Sequence, residues 1–179
     1  RRISANGRSL SNTLEDLVQR NPGITSIDLI GHSMGGLVSR SAVLCGEGTA
    51  WRKKLRALVC LGTPHHGAPL ERGGNWLGAL LGVSAYSAPF MRLAKLRSAG
   101  VTDLRFGNVL DEHWNGRDRF ELGGDARAAL SLPEGVLCCA LAGSSGEKGG
   151  DGLVPIDSAL GRHVKRELQL GFQKTHVAK

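Results

Sequence analysis

Ser33 lies in Gly31-His32-Ser33-Met34-Gly35-Gly36, a spacing that can turn a serine hydroxyl into a nucleophile. The run Ile27-Asp28-Leu29-Ile30 before it reads as a buried strand. Leu37, Val38, Ala42, Val43 and Leu44 after it read as one face of a helix. A strand-turn-helix junction this tight strains its central residue, so small residues are expected two positions to either side. The hydroxyl is then exposed above the sheet, and the helix N-terminus points at the chemistry. Such a serine attacks an acyl carbon if a base lies within hydrogen-bond reach and a carboxylate orients that base. In a chain with 26 glycines the bare pattern is weak, and the strand and helix around it give it weight.

A carboxylate suited to that role should follow a later strand. Gly149-Gly150-Asp151-Gly152-Leu153-Val154-Pro155 meets the requirement, since it comes after the apolar run Val136–Ala142 and its glycines can present Asp151 to a crowded cleft. A plain Asp-Gly turn is the alternative. There are six histidines: His32, His65, His66, His113, His163 and His176. His32 sits inside the turn and cannot easily fold back onto its neighbour. Adjacent His65 and His66 make a poor metal pair, because neighbouring side chains diverge and no third ligand is near in sequence. Gly143-Ser144-Ser145-Gly146-Glu147-Lys148 lacks the gap and the Gly-Lys-Ser/Thr ending of a phosphate-binding loop.

Three segments together resemble the α/β-hydrolase lipases: Gly31–Gly36, Leu61-Gly62-Thr63-Pro64-His65-His66-Gly67-Ala68-Pro69-Leu70, and Asp151–Pro155 with Ser158-Ala159-Leu160-Gly161. The chain looks most like bacterial proteins of the GPI inositol-deacylase-like group. It is more distantly similar to bacterial triacylglycerol lipases and lecithin:cholesterol acyltransferases. The resemblance implies a parallel α/β sheet with helices on both faces, an ester or lipid substrate, and hydrolysis through an acyl-serine without cofactor or metal. It implies Ser33 as nucleophile, Asp151 as acid and the Met34 amide as an oxyanion donor, with the His65-His66 turn shaping the cleft rather than acting as base. The base should then follow Asp151, and His176 is the candidate by order. His163 and a residue beyond Lys179 are the alternatives. Two rival readings use the same fold: an acyltransferase with the same triad, and a binding module that has lost its base.

The elements that must position these residues are legible from spacing. Leu10, Leu14, Leu17 and Val18 recur at helical intervals until Asn21-Pro22-Gly23 stops them. Ile24–Ile30, Leu55–Leu61 and Val136–Ala142 read as buried strands, and Thr175-His176-Val177 reads as a last one. Alternating helix and strand calls for right-handed crossovers in an α/β layered domain. About 63–133 reads as one long insertion in a single domain, glycine-rich around Gly73–Gly82, and is expected to form a lid over an acyl pocket. The oxyanion hole also needs a donor from an earlier strand, and residues 1–9 hold no strand. The segment therefore reads as truncated at both ends, with an exposed apolar edge. Expressed alone it is expected to be poorly soluble and nearly inactive.

Composition narrows the partners. The formal charge is +7, but the basic clusters Arg52-Lys53-Lys54-Arg56, Arg92-Lys95-Arg97 and Arg162-Lys165-Arg166 are separated by acids, and aromatics make up only 4% of the chain. Base stacking has little to work with, so nucleic acid is not an expected partner. Weak contact with an anionic membrane surface stays open. No apolar run reaches the roughly 18 residues of a membrane span. Cys45, Cys60, Cys138 and Cys139 sit in apolar runs and read as small hydrophobes rather than a disulfide framework.

Overall fold

A computed structural model describes residues 2–67, 103–104, 107–111, 127, 129–144 and 154–179. Helix α1 (Ile3–Arg20) leads to strand β1 (Ile27–His32), then α2 (Met34–Cys45), the short α3 (Ala50–Lys53) and β2 (Leu55–Leu61). Strand β3 (Leu137–Gly143), the single turn α4 (Ile156–Ala159), a 3-10 turn at Arg166–Leu168 and β4 (Lys174–Ala178) complete the order. The four strands form one sheet in the order β1-β2-β3-β4, and every pair is parallel. Parallel neighbours need crossover connections, and α2 with α3 supplies the one between β1 and β2.

The strands stand close to where the apolar runs put them. β1 starts three residues later than the run beginning at Ile24. The Asn21 carbonyl accepts from the Ile24 N–H at 3.1 Å, and the Ile24 carbonyl accepts from Lys54 Nζ at 2.6 Å. Pairing begins only where the Ile27 N–H reaches the Lys54 carbonyl at 2.8 Å. β3 is displaced by one residue, and Gln173 closes its start: Oε1 accepts from the Cys138 N–H at 2.7 Å and Nε2 donates to the Val136 carbonyl at 3.2 Å.

Alternation along each strand puts Leu29, Leu58, Cys60, Cys138 and Ala140 on one face. That face receives the helices: Leu14 and Val18 of α1, Ala42 and Val43 of α2, and the fully buried Trp51 close the main core over β2. Trp51 also ties α3 to α1. Its Nε1 donates to Ser11 Oγ at 3.0 Å, and its backbone N–H donates to the Glu15 carboxylate at 3.0 Å. α1 and α2 approach closely because Gly7 has no side chain where Ser41 lies. The helices packed on the sheet among the described residues share this face, and the insertion expected over 63–133 falls largely outside them. All four cysteines are free thiols, with Cys60 and Cys138 buried. Among the described residues no helix is long and apolar enough to cross a membrane.

Candidate active site

The junction between β1 and α2 puts Ser33 at φ 52°, ψ −126°, the one non-glycine residue with positive φ among those described. A serine there costs on the order of 1–3 kcal/mol, a strain that persists only when the surroundings over-determine it. Here they do. The Ser33 N–H donates to the Leu61 carbonyl at 2.8 Å, which stitches the turn to the end of β2, and the Gly36 N–H donates back to the Ser33 carbonyl at 3.1 Å. A Cβ on Gly31 would lie 2.6 Å from Gly36 Cα and N, and one on Gly36 would overlap Thr63 Oγ1. The steric demand thus falls on Gly31 and Gly36, not on Gly31 and Gly35 as the ±2 rule suggests: a Cβ on Gly35 would meet nothing within 4 Å. Ser33 is half-buried, and its hydroxyl has no hydrogen-bond partner among the described residues. Met34, 39% exposed, opens α2, so its N–H belongs to the unpaired first turn of the helix.

Behind the serine lies the turn after β2. Thr63, Pro64 and His65 are all fully buried. The His65 N–H donates to the Ser158 carbonyl at 3.2 Å and the His66 N–H to Ser158 Oγ at 3.1 Å, while Ser158 Oγ donates to the Gly67 carbonyl at 2.6 Å. Ser158, in α4, therefore clamps the Thr63–Gly67 turn to the segment that follows the Asp151 loop. Asp151 itself lies outside the described residues. Its downstream anchor is visible: Val154, Ala159 and Leu160 pack with Ala140 and Ala142 of β3.

Two arginines attend the histidines. Arg40 Nη1 lies 3.2 Å from His65 Nδ1, and Arg127 donates to the His65 carbonyl at 2.9 Å and lies 3.1 Å from His66 Nδ1. Burial, then the Arg40 charge, holds His65 well below the usual imidazole value, and burial lowers His66 to about 4. Both rings are neutral at neutral pH, and neither contacts Ser33 by a hydrogen bond among the described residues. Sequence reasoning missed Arg40. Its only signal was a lone charge among the small and apolar residues of α2. Ser158 was singled out as part of a motif, without a role.

His176 lies within β4, exposed, and pairs with Leu141. One register row runs His32, Leu61, Leu141, His176 across the sheet. Three strand spacings of roughly 4.8 Å put about 14 Å between β1 and β4 along that row, far beyond hydrogen-bond reach. The structure does not bring His176 to Ser33, because a residue inside a strand keeps its place in the row, whereas a base on a loop can fold back over the sheet. His163 does approach the site, with its ring centroid 4.8 Å from that of His66. Among the described residues no group of three or more His, Cys, Asp or Glu side chains could hold a metal ion.

The fold is that of the α/β-hydrolase lipases. The crystal structure of Bacillus licheniformis lipase BlEst2 in its mature form superposes with a TM-score of 0.56 at 19% identity, over 100% of this chain and 67% of that one. The propeptide form of the same lipase gives 0.53 at 22% identity, over 89% of this chain and 34% of that one. The chain thus spans two thirds of the mature lipase and about a third of the propeptide form, and at these identities the likeness is one of fold. A search of curated proteins gives no match. Residues 2–114 match the family model described as the PGAP1-like alpha/beta domain, a span that contains α1, the Ser33 turn and β2. The chain belongs to the PGAP1-like alpha/beta domain family.

Proposed function

We propose that the chain carries the nucleophile of a serine hydrolase acting on carboxylic esters, lipid esters among them. The observation that supports this reading best is the backbone of Ser33, left-handed at φ 52° and held at the C-terminal end of a parallel strand by Gly31, Gly36 and Leu61. Strain at a serine in this position has no packing purpose, since the side chain is only half-buried and makes no cap bond.

In the proposed reaction the Ser33 hydroxyl attacks the ester carbonyl as a histidine base takes its proton. The Met34 N–H donates to the developing oxyanion, and the base returns the proton to the leaving alcohol. Water then cleaves the acyl-serine to release the acid. Asp151 orients the base and stabilises its imidazolium. His176 is the candidate base by chain order, and its place in β4 argues against it. His176→Ala is therefore expected to keep turnover within about tenfold, whereas loss of a triad base costs on the order of 10⁴-fold or more and would identify His176 after all. The test of the whole reading is the kinetics of the intact protein on short p-nitrophenyl esters. Ser33→Ala is expected to lower kcat by on the order of 10⁴–10⁶-fold with the fold intact, and unchanged hydrolysis sinks the proposal.

A further inference from the structure

Val164 is the most exposed large apolar side chain among the described residues, at 99%. A lone apolar residue at a surface is ordinary. What sets this one apart is the loop that carries it. The Leu170 N–H donates to the Gly161 carbonyl at 2.8 Å, so the chain leaves and returns at one point in a closed surface excursion. The pinch requires a glycine: Gly161 has φ 71°, and a Cβ there would lie 2.8 Å from Leu170 Cβ. Gly161, Leu168 and Leu170 are buried at the base, while Arg162, Val164, Lys165, Arg166 and Glu167 are exposed. The Lys165 N–H donates to His163 Nδ1 at 3.0 Å, and the Leu168 N–H donates to the Lys165 carbonyl at 3.1 Å. Bracing of this kind holds Val164 out in water rather than letting it collapse onto the buried leucines.

The loop stands at the Ser33 end of the sheet. It follows α4, whose Ser158 clamps the Thr63–Gly67 turn, and the His163 ring rests 4.8 Å from that of His66 in the turn. Met34, next to Ser33, is a further exposed apolar side chain at this end. Cations flank Val164, with Arg162 before it and Lys165 and Arg166 directly after. Asp157, 3.6 Å from Arg162, and exposed Glu167 offset part of that charge, and the chain as a whole carries +7. An apolar tip ringed by cations matches an anionic bilayer: the valine enters the headgroup boundary and the basic side chains stay with the phosphates. A protein interface needs a broader apolar centre than one valine supplies.

We propose that Arg162–Arg166 is a membrane-contact loop that seats the Ser33 end of the sheet on anionic phospholipid. The inference deepens the hydrolase reading, on which the purpose of the contact rests, and names a bilayer as the form in which the ester arrives. The contact itself needs no catalysis.

The test is flotation of the intact Ser33→Ala protein, which leaves the lipid uncut, with two kinds of vesicle: phosphatidylcholine alone, and phosphatidylcholine with phosphatidylglycerol in equal parts. Binding to the anionic vesicles is expected to be tighter by on the order of tenfold or more. A Lys or Arg near such a surface contributes roughly fivefold, so Lys165→Glu with Arg166→Glu should weaken that binding by roughly 25-fold or more. Val164→Trp should tighten it, and the added emission should shift to the blue on binding, a report from the tip itself. All three positions are exposed, so the fold is not at stake. With Ser33 in place, the charge-reversed protein should hydrolyse short soluble p-nitrophenyl esters as before, which separates failure of the contact from failure of the hydrolase reading. No binding to the anionic vesicles, equal binding to both kinds, binding that survives the charge reversal, or bound Val164→Trp protein whose emission does not move would overturn the proposal.

Discussion

At the scale of single residues, the Ser33 turn depends on two glycines whose requirements differ from that of a third. Gly36→Ala drives a methyl into Thr63, whereas Gly35→Ala meets open space. Gly36→Ala is therefore expected to lower the melting temperature and Gly35→Ala to leave it unchanged or raise it, and thermal melts of the pair check this. Thr63→Ala in the Gly36→Ala background should recover part of the loss, because the two groups share one contact. The Gly-x-Ser-x-Gly spacing made the serine legible in the sequence. It could not reveal that Gly36 outranks Gly35, since the deciding atom belongs to Thr63, which another strand delivers. Arg40 was illegible for the same reason: burial is a property of the assembled core, and a charged residue in a helix reads as surface until the packing is known.

At the scale of elements, the strands were legible because parallel strands covered by helices carry near-continuous apolar runs, and Leu55–Leu61 coincides with its run in full. α1 begins at Ile3, about two turns before its apolar periodicity is apparent at Leu10, because tertiary bonds hold its first turn. The Ile3 N–H donates to Asp103 at 2.9 Å. Ser4 Oγ donates to Asp111 at 2.7 Å, and Arg2 and Arg8 pair with the same carboxylate at 3.3 and 2.8 Å. The Ser4 hydrogen bond foremost, then Arg8 and Arg2, holds the Asp111 carboxyl at about 2. A depressed carboxylate value stabilises the fold above the unfolded pKa near 4, and that stability is lost as pH falls toward 2. Asp111→Asn should flatten this stretch of the stability–pH curve in chemical unfolding. Ser158 is the other joint between elements. Ser158→Ala strips the His66 N–H and the Gly67 carbonyl of their partner, and is expected to cost about 1–3 kcal/mol in unfolding free energy.

At the scale of the whole molecule, the sheet and its layering followed from the order of helices and strands. The lid expected over 63–133 lies largely outside the described residues, and the Asp151 loop lies outside them, so the cleft is bounded by the Ser33 turn and the Thr63–Gly67 turn. β1 forms one edge of the four-stranded sheet, and Ile30 on it is 69% exposed. An apolar strand edge of this kind pairs with other chains. Residues 1–179 expressed alone should therefore aggregate, and Ile30→Lys should reduce the aggregation in light scattering. The neutral pair His65 and His66 sets a second global property. Their depressed values mean that the unfolded chain binds more protons below about pH 6.5, so stability should fall from there toward pH 4, and His66→Asn should weaken the fall.

The account's central claim is that Ser33 is a nucleophile, and the most direct measurement is covalent capture. Intact protein treated with an alkyl fluorophosphonate and mapped by peptide mass spectrometry is expected to carry one adduct, on Ser33, with ester hydrolysis lost in step. An unmodified Ser33 in protein that still cleaves esters, or an adduct on another residue, would contradict it.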